Sequence, residues 1–116
     1  MNFVLRLLTY SLAILITSYL IPGVELSAPA WAIGIAAVLM LLNTLLKPFL
    51  IILTLPLTVL SFGLFLFVIN AIVILLAGAI VPGFAVKSFW AAMAFSVVLT
   101  LIMAILEALA EYSETR

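Results

Sequence analysis

The chain has 116 residues, 70% of them hydrophobic and only 7% charged, and its formal net charge is zero. A soluble domain usually carries about 25% charged residues, and a chain this short has too little interior to hide so much apolar surface. The composition therefore excludes an ordinary soluble domain and predicts an integral membrane protein whose first partner is the lipid bilayer. The neutral charge gives no indication of a nucleic-acid partner.

The residue types that carry most protein chemistry are scarce. The chain has no cysteine and no histidine, and the sequence contains no aspartate. Disulfides and the commonest soft metal ligands are thereby excluded. We expect no enzymatic activity, no metal ion and no cofactor, and the residues identify no small-molecule substrate.

The first apolar run covers residues 3–21 and ends at the turn signal Pro22-Gly23. A membrane span needs about 20 apolar residues, so this run predicts a first transmembrane helix. Ala28-Pro29-Ala30 has the small-x-small pattern of a signal-peptidase site. The run is long for a signal sequence and further apolar runs follow, so we favour a retained helix.

Three more apolar runs cover residues 31–46, 57–81 and 89–109. The run 57–81 ends at a second Pro-Gly pair, Pro82-Gly83. Each is close to the length of a membrane span. The sequence therefore predicts an all-α, polytopic membrane protein. Its four transmembrane helices are expected to form two helical hairpins within a single domain, residues 1–116.

Residues 47–56, between the second and third runs, contain Lys47, Pro48 and Pro56. Proline interrupts a helix, and a lysine near a helix end can extend its charge to the lipid headgroups. We predict an interfacial turn here. An extension of the second helix or a short interfacial helix is favoured over a re-entrant segment, because irregular backbone inside a bilayer needs protein or water partners. Gly63, in the third span, is expected to ease a bend.

Two asparagines lie within the predicted spans, Asn43 near the end of the second and Asn70 near the middle of the third. An amide without a partner is costly in hydrocarbon, so both are expected to face protein and to pair across helices. Interhelical packing is the favoured role. A polar stripe that lines a water path is the alternative.

Glu107 and Glu111 lie four residues apart, on one face of the fourth helix. The favoured interpretation is a solvated helix end beside the polar tail. A cation or proton site is the alternative, and Glu107 is the candidate because it lies deepest in the predicted span.

An internal repeat links the two loops. Ile21-Pro22-Gly23-Val24 precedes Trp31-Ala32, and Val81-Pro82-Gly83-Phe84 precedes Trp90-Ala91, at offsets of 60 and 59 residues. Two spans separate equivalent helices, so the two halves would share one orientation, as a parallel repeat. Duplication and shared loop chemistry both explain a match this short.

The basic residues predict the orientation. Arg6, Lys47 and Arg116 fall on one predicted face, and Lys87 alone falls on the other. Because cytoplasmic loops are enriched in lysine and arginine, both termini are expected in the cytoplasm.

The run LLNTLLKPFLIILTLPLTVLSFGLFLFVINA, residues 41–71, is distinctive. It resembles the four-span phage-holin-like family, mycobacterial type, superfamily IV. The residues that carry the resemblance are Asn43, Lys47-Pro48, Leu55-Pro56, Gly63-Leu64-Phe65 and Asn70-Ala71. The resemblance implies a four-span protein that opens membranes to lytic enzymes, although the strongly basic tail common among holins is absent.

Three functions compete. The first is a holin-like or envelope-associated protein that acts through helix packing and homo-oligomers in the membrane. The second is a structural or regulatory subunit of a larger membrane complex. The third is a small four-span transporter, which is expected to need a carboxylate in its first span, and residues 3–21 contain none.

Overall fold

A computed structural model describes residues 2–115, with side chains described as far as Tyr112. Arg116, which contributes to the predicted charge asymmetry, lies outside the described residues. The elements in chain order are α1 (Phe3–Leu20), β1 (Val24–Leu26), α2 (Trp31–Leu45), α3 (Lys47–Leu53), α4 (Leu55–Leu60), α5 (Phe65–Ile80), β2 (Phe84–Val86) and α6 (Phe89–Thr115).

The ends of the long helices follow from local chemistry. At the start of α1, the Asn2 side chain accepts a hydrogen bond from the Leu5 amide at 2.8 Å. Ser88 caps α6 in the same way, accepting from the Ala91 amide at 3.1 Å. Each cap satisfies a backbone donor that a helix start leaves without a partner. α1 and α5 end at Leu20 and Ile80, and the next residue, which precedes a Pro-Gly pair, has an extended backbone.

The four long helices form a ring. α1 packs against α2 and α6, and α5 packs against the same two helices. Alanines occupy many of the buried positions, which lets the helix backbones approach closely, and a few larger residues fill the centre. The largest fully buried side chains are Phe95, Ile14, Ile35, Leu39, Ile69, Val73 and Thr17.

A two-stranded antiparallel ribbon closes one end of the ring, and the all-α prediction missed it. β1 pairs with β2, with Glu25 opposite Ala85. The Ser27 amide donates to the Gly83 carbonyl and the Lys87 amide donates to the Gly23 carbonyl, both at 2.8 Å. The backbone is extended after each Pro-Gly pair, and its polar groups need partners. The two loops lie side by side and supply them.

The two halves of the chain bury equivalent positions. Each buried residue that the structure describes in the first half has a buried counterpart 60 positions later. Most pairs match small with small or large with large, and the exceptions are Ala13 with Val73 and Thr17 with Ala77. The pairs are Ser11 and Ala71, Ala13 and Val73, Ile14 and Ile74, Thr17 and Ala77, Val24 and Phe84, Ala32 and Ala92, Ile35 and Phe95, Ala36 and Ser96, Leu39 and Leu99.

The ribbon obeys the same relation, because Ser27 and Lys87, like Gly23 and Gly83, are 60 residues apart. The helix contacts also map onto one another when α1 is exchanged with α5 and α2 with α6. The protein is therefore built from two similarly packed halves, related by an approximate two-fold axis.

The connector between the halves is helical. Residues 47–56 were expected to form an interfacial turn, with an extension of helix two or a short helix favoured, and α3 and α4 lie within residues 47–60; the third long helix, expected from residue 57, begins only at Phe65. The helical path breaks at Leu46 and Thr54, and each proline is the second residue of the next helix. α3 continues from α2 with a bend of 42°. Proline suits the first turn because the missing amide has no helical partner there.

The predicted third span starts late because of a turn at Phe62-Gly63. The Gly63 amide donates to the Thr58 carbonyl at 2.8 Å and the Phe62 amide donates to the Val59 carbonyl at 3.1 Å, which is the Schellman pattern. Phe62 has φ +56° and Gly63 has φ +88°. Phenylalanine thus occupies the left-handed position that glycine usually takes, at a cost of about 1 kcal/mol.

Length and apolarity identify α1 and residues 89–112 of α6 as helices able to cross a membrane. α2 and α3 qualify as a third crossing if the bent pair is one span. α5 is apolar throughout but has 16 residues. The helices alone thus give two or three spans by these criteria.

Candidate functional site

One side-chain hydrogen bond joins two of the ring helices at the end opposite the ribbon. Asn43 Nδ2, near the end of α2, donates to the Tyr10 hydroxyl of α1 at 3.0 Å. Both side chains are partly buried. An amide and a phenol in an apolar bundle each need a partner, and here each satisfies the other.

This pair lines a polar cavity between the four ring helices and the start of α3. The cavity has a volume of about 110 Å³, room for several water molecules. Lys47 and Asn70 are half-buried in its wall. The remaining lining residues are Leu39, Val73, Ile74, Ser96, Leu99 and Thr100.

The residues in the wall of the cavity differ in whether they offer hydrogen-bond donors or acceptors to it. Ser96 donates its hydroxyl to the Met93 carbonyl and Thr100 donates to the Ser96 carbonyl, each at 2.8 Å. Both hydroxyls therefore present only acceptor oxygens to the cavity. Tyr10 accepts from Asn43 and retains its own proton to donate. Lys47 adds three charged donors, and the amide of Asn70 adds two neutral ones.

Two clefts flank the cavity, and Tyr10 lines both. A cleft of about 340 Å³ between α1 and α2 is also lined by Arg6, Asn43 and Thr44. A cleft of about 320 Å³ between α1 and α6 is lined by Thr100 and Glu107. Tyr10 thus lines a basic cleft, the central cavity and an acidic cleft, which adjoin one another around its side chain.

The structure brings together four of the residues that the sequence singled out. Asn43, Lys47 and Asn70 line the cavity, and Glu107 lies in the adjoining cleft on the outer surface of α6. The expected hydrogen bond across helices exists at Asn43, with Tyr10 as its partner. Asn70 faces the same cavity and makes no hydrogen bond within the described residues.

Pro48, Pro56 and Gly63 lie apart from the polar residues. The two prolines start α3 and α4, and Gly63 completes the turn before α5. A Cβ added to Gly63 would meet nothing within 4 Å, so its positive φ, and not close packing, favours glycine there. These three residues shape the connector, and through it the position of Lys47.

Sequence reasoning missed Tyr10, the most central residue of the site. A signal was available: Tyr10 and Asn70 are 60 residues apart, the offset of the Pro-Gly repeat. Equivalent positions in two halves related by an axis meet at that axis when they face inward. If the sequence repeat had been interpreted as two halves packed around a two-fold axis, Tyr10 would have been placed beside Asn70.

The ribbon end has a different character. Lys87 Nζ and Glu25 Oε1 are 3.5 Å apart, with both side chains about two-thirds exposed, at 65% and 66%. An ion pair this exposed contributes little to stability. The basic and acidic groups at this end neutralise each other, whereas no carboxylate among the described side chains forms an ion pair with Arg6 or Lys47.

A ring of apolar helices with a polar cavity at one end defines a small integral membrane protein. The chain matches the family described as mycobacterial 4 TMS phage holin, superfamily IV, over residues 1–105, and it belongs to that family. It is also 38% identical to the uncharacterized membrane protein YvlD of Bacillus subtilis (strain 168). The 95 aligned residues cover 81% of this chain and 80% of YvlD. No solved structure matches the chain. Holins are not enzymes.

Proposed function

We propose that the protein is a four-span inner-membrane protein of the holin family that acts as an assembly of several chains. The observation that carries the proposal is the closed interior of one chain. Between the polar cavity and the ribbon, Ile14, Ile35 and Phe95 are fully buried in the apolar core. Among the described residues these side chains fill the interior of a single copy, so permeation would need a path between copies.

The outer surface supports assembly within a bilayer. Large apolar side chains are exposed along the outer faces of α1, α2 and α6. Some exposed positions are small, among them Ala37, Ala94 and Ala108. Lipid tails cover the large residues, and small residues permit close approach of a second helix. We propose homo-oligomers formed through these outer faces.

Leakage from liposomes tests this proposal. If permeation needs several chains, dye release should rise more steeply than linearly with the protein-to-lipid ratio. The chain has no cysteine, so single cysteines at Leu12, Ala37 and Ala108 can locate the interface by crosslinking, with Ile14→Cys as a matched buried control. Release that is linear in protein, together with no crosslinks at any outer position, would refute an oligomeric mechanism.

The proposed topology has four spans, α1, α2, α5 and α6, with α3 and α4 as an apolar connector at the cytoplasmic interface. α5 would extend about 24 Å, shorter than the hydrocarbon core of about 30 Å, and local thinning of the bilayer or the apolar connector would make up the difference. Arg6 and Lys47 lie at the end of the bundle opposite the ribbon, where the positive-inside rule favours the cytoplasm.

Reporter fusions at residue 27, residue 52 and the C-terminus test the topology. We expect a periplasmic signal at residue 27 and cytoplasmic signals at the other two. A cytoplasmic signal at residue 27 with periplasmic signals elsewhere would reverse the orientation, and signals on opposite sides at residue 52 and the C-terminus would contradict four spans.

A further inference from the structure

We infer that the groove from Arg6, past Tyr10 and Asn43, to Lys47 binds a phosphate anion, supplied either by the headgroup of an acidic phospholipid or by free inorganic phosphate. The groove comprises the basic cleft between α1 and α2 and the adjoining central cavity, which share Tyr10 and Asn43 among their lining residues. It lies within one chain, so the inference does not depend on the oligomer proposed above.

The charge at the groove is the first argument. Arg6 and Lys47 flank the hydrogen-bonded pair Tyr10–Asn43, one in each compartment. Neither cation forms an ion pair with a described carboxylate, whereas Lys87, at the other end of the molecule, is paired with Glu25. Two cations that share one groove without a counter-ion form a site for an anion.

The donors of the wall match the acceptors of a phosphate. A guanidinium binds phosphate oxygens through two parallel hydrogen bonds, and an ammonium binds them as a point charge. The Tyr10 hydroxyl still has a proton to donate, and the Asn70 amide has no protein partner among the described residues. The half-buried position of Lys47 reduces competition from bulk water.

The depth of the site suits a lipid headgroup. Arg6 lies in the first turn of α1, and Tyr10 lies one turn deeper, about 6 Å along the helix axis. Asn43 and Lys47 lie at the matching end of α2 and the start of α3. Basic pockets between transmembrane helices at the interface bind phosphorylated headgroups.

Glu107 is the opposing charge to consider. It lies in the cleft on the far side of Tyr10, between α1 and α6. Its carboxylate is exposed on the outer surface and weakens the positive potential of the groove without entering it. Neutralising Glu107 should therefore strengthen phosphate binding, an effect of opposite sign to the loss of either cation.

The experiment uses the full chain, purified in neutral detergent. Thermal stability is measured against added phosphatidylcholine, phosphatidylglycerol and inorganic phosphate, with chloride at equal ionic strength as the salt control. We expect the unfolding temperature to rise to a plateau with phosphatidylglycerol if the headgroup is the ligand, or with inorganic phosphate if the free ion is the ligand. No rise above the phosphatidylcholine and chloride controls with either probe would overturn the inference.

Variants locate the site. Arg6→Gln and Lys47→Gln should each weaken the apparent affinity about fivefold, as expected for removal of one cation near a charged headgroup. Lys47→Arg should retain affinity and Glu107→Gln should raise it. Lys87→Gln removes the same charge at the ribbon end and should leave affinity unchanged. An equal loss in Lys87→Gln would show diffuse attraction to the surface and would refute a site in the groove.

Discussion

The two halves of the molecule share a packing plan and differ in how their second helix ends. Lys47-Pro48 corresponds to Glu107-Ala108 at the 60-residue offset. After α2 the chain bends by 42° into α3, and Lys47 lines the central cavity. α6 continues as one helix to Thr115, and Glu107 remains in an outer cleft. The first half has Pro48 where the second has Ala108. This one difference accompanies the inward position of Lys47 and the outward position of Glu107.

The comparison teaches that the apolar scaffold is repeated and the polar chemistry is not. The same positions are buried in both halves, and small residues recur at several of them, such as Ala32 and Ala92, because close packing of helices in lipid depends on small side chains. The polar positions diverge: Tyr10 corresponds to Asn70, and Asn43 to Met103. A shared scaffold therefore presents an asymmetric polar site.

The glycines of the ribbon should give the largest contrast between the halves. A Cβ at Gly83 would collide with the indole ring of Trp31, whereas a Cβ at Gly23 would come within 3.0 Å of the Ala91 Cβ. Gly83→Ala should destabilise the protein by about 2–3 kcal/mol through overpacking, measured by thermal unfolding in detergent.

Trp31→Ala is the matched rescue, because residue 91, its counterpart, is already alanine. The double variant should recover most of the stability that Gly83→Ala loses. Gly23→Ala should not be rescued by Trp31→Ala, since its cost arises from its φ of +92° and from Ala91. Rescue of both glycine variants alike would contradict the specific contact.

Ile14 and Ile74 test whether the halves contribute equally to the core. They occupy equivalent positions and are 0% and 3% exposed. Each substitution to alanine should cost about 1–2 kcal/mol, less than in a soluble core because lipid removes much of the transfer term while the cavity term remains. Equal losses would support the repeat, and a loss in one variant several times that in the other would show that one half dominates.

Pro48→Ala should make the end of α2 more like the corresponding part of α6, which continues as one helix. Without proline, α2 can continue as α6 does, and residue 47 should move away from the cavity. In a Lys47→Cys, Asn70→Cys background, a short bifunctional reagent should crosslink the two positions, because they line one cavity of about 110 Å³. Adding Pro48→Ala should lower the yield several-fold, equivalent to about 1 kcal/mol. Pro56→Ala is the control and should change the yield little.

The smallest effect belongs to the bond between Tyr10 and Asn43. A double-mutant cycle of Tyr10→Phe and Asn43→Leu should give a coupling energy of about 0.6 kcal/mol, typical of hydrogen bonds between membrane helices. Asn70→Leu combined with Tyr10→Phe should give additive changes, since the described structure has no bond between those residues. Strong coupling of Tyr10 to Asn70 with none to Asn43 would refute the assigned pairing.

The sequence by itself determined that this is a membrane protein, that it contains long apolar helices, and the family to which it belongs. These follow from apolar runs as long as a membrane span and from proline-glycine pairs, both of which are local. The region of Asn43, Lys47 and Asn70 was also recognisable, because polar residues in apolar runs stand out. The late start of α5 was not recognisable, since residues 57–64 are still predominantly apolar and a turn at Phe62-Gly63 separates them from the helix.

Tertiary structure alone decided which groups meet. Tyr10 joins Asn43 across 33 positions of sequence, and β1 pairs with β2 across about 60, contacts that no local pattern specifies. The ribbon was missed because three-residue segments have no hydrophobic period, and their hydrogen bonds exist only once the two loops lie side by side. The bend after α2 likewise has a local cause in Pro48, but its direction, toward the cavity and Asn70, depends on how α3 packs against α5.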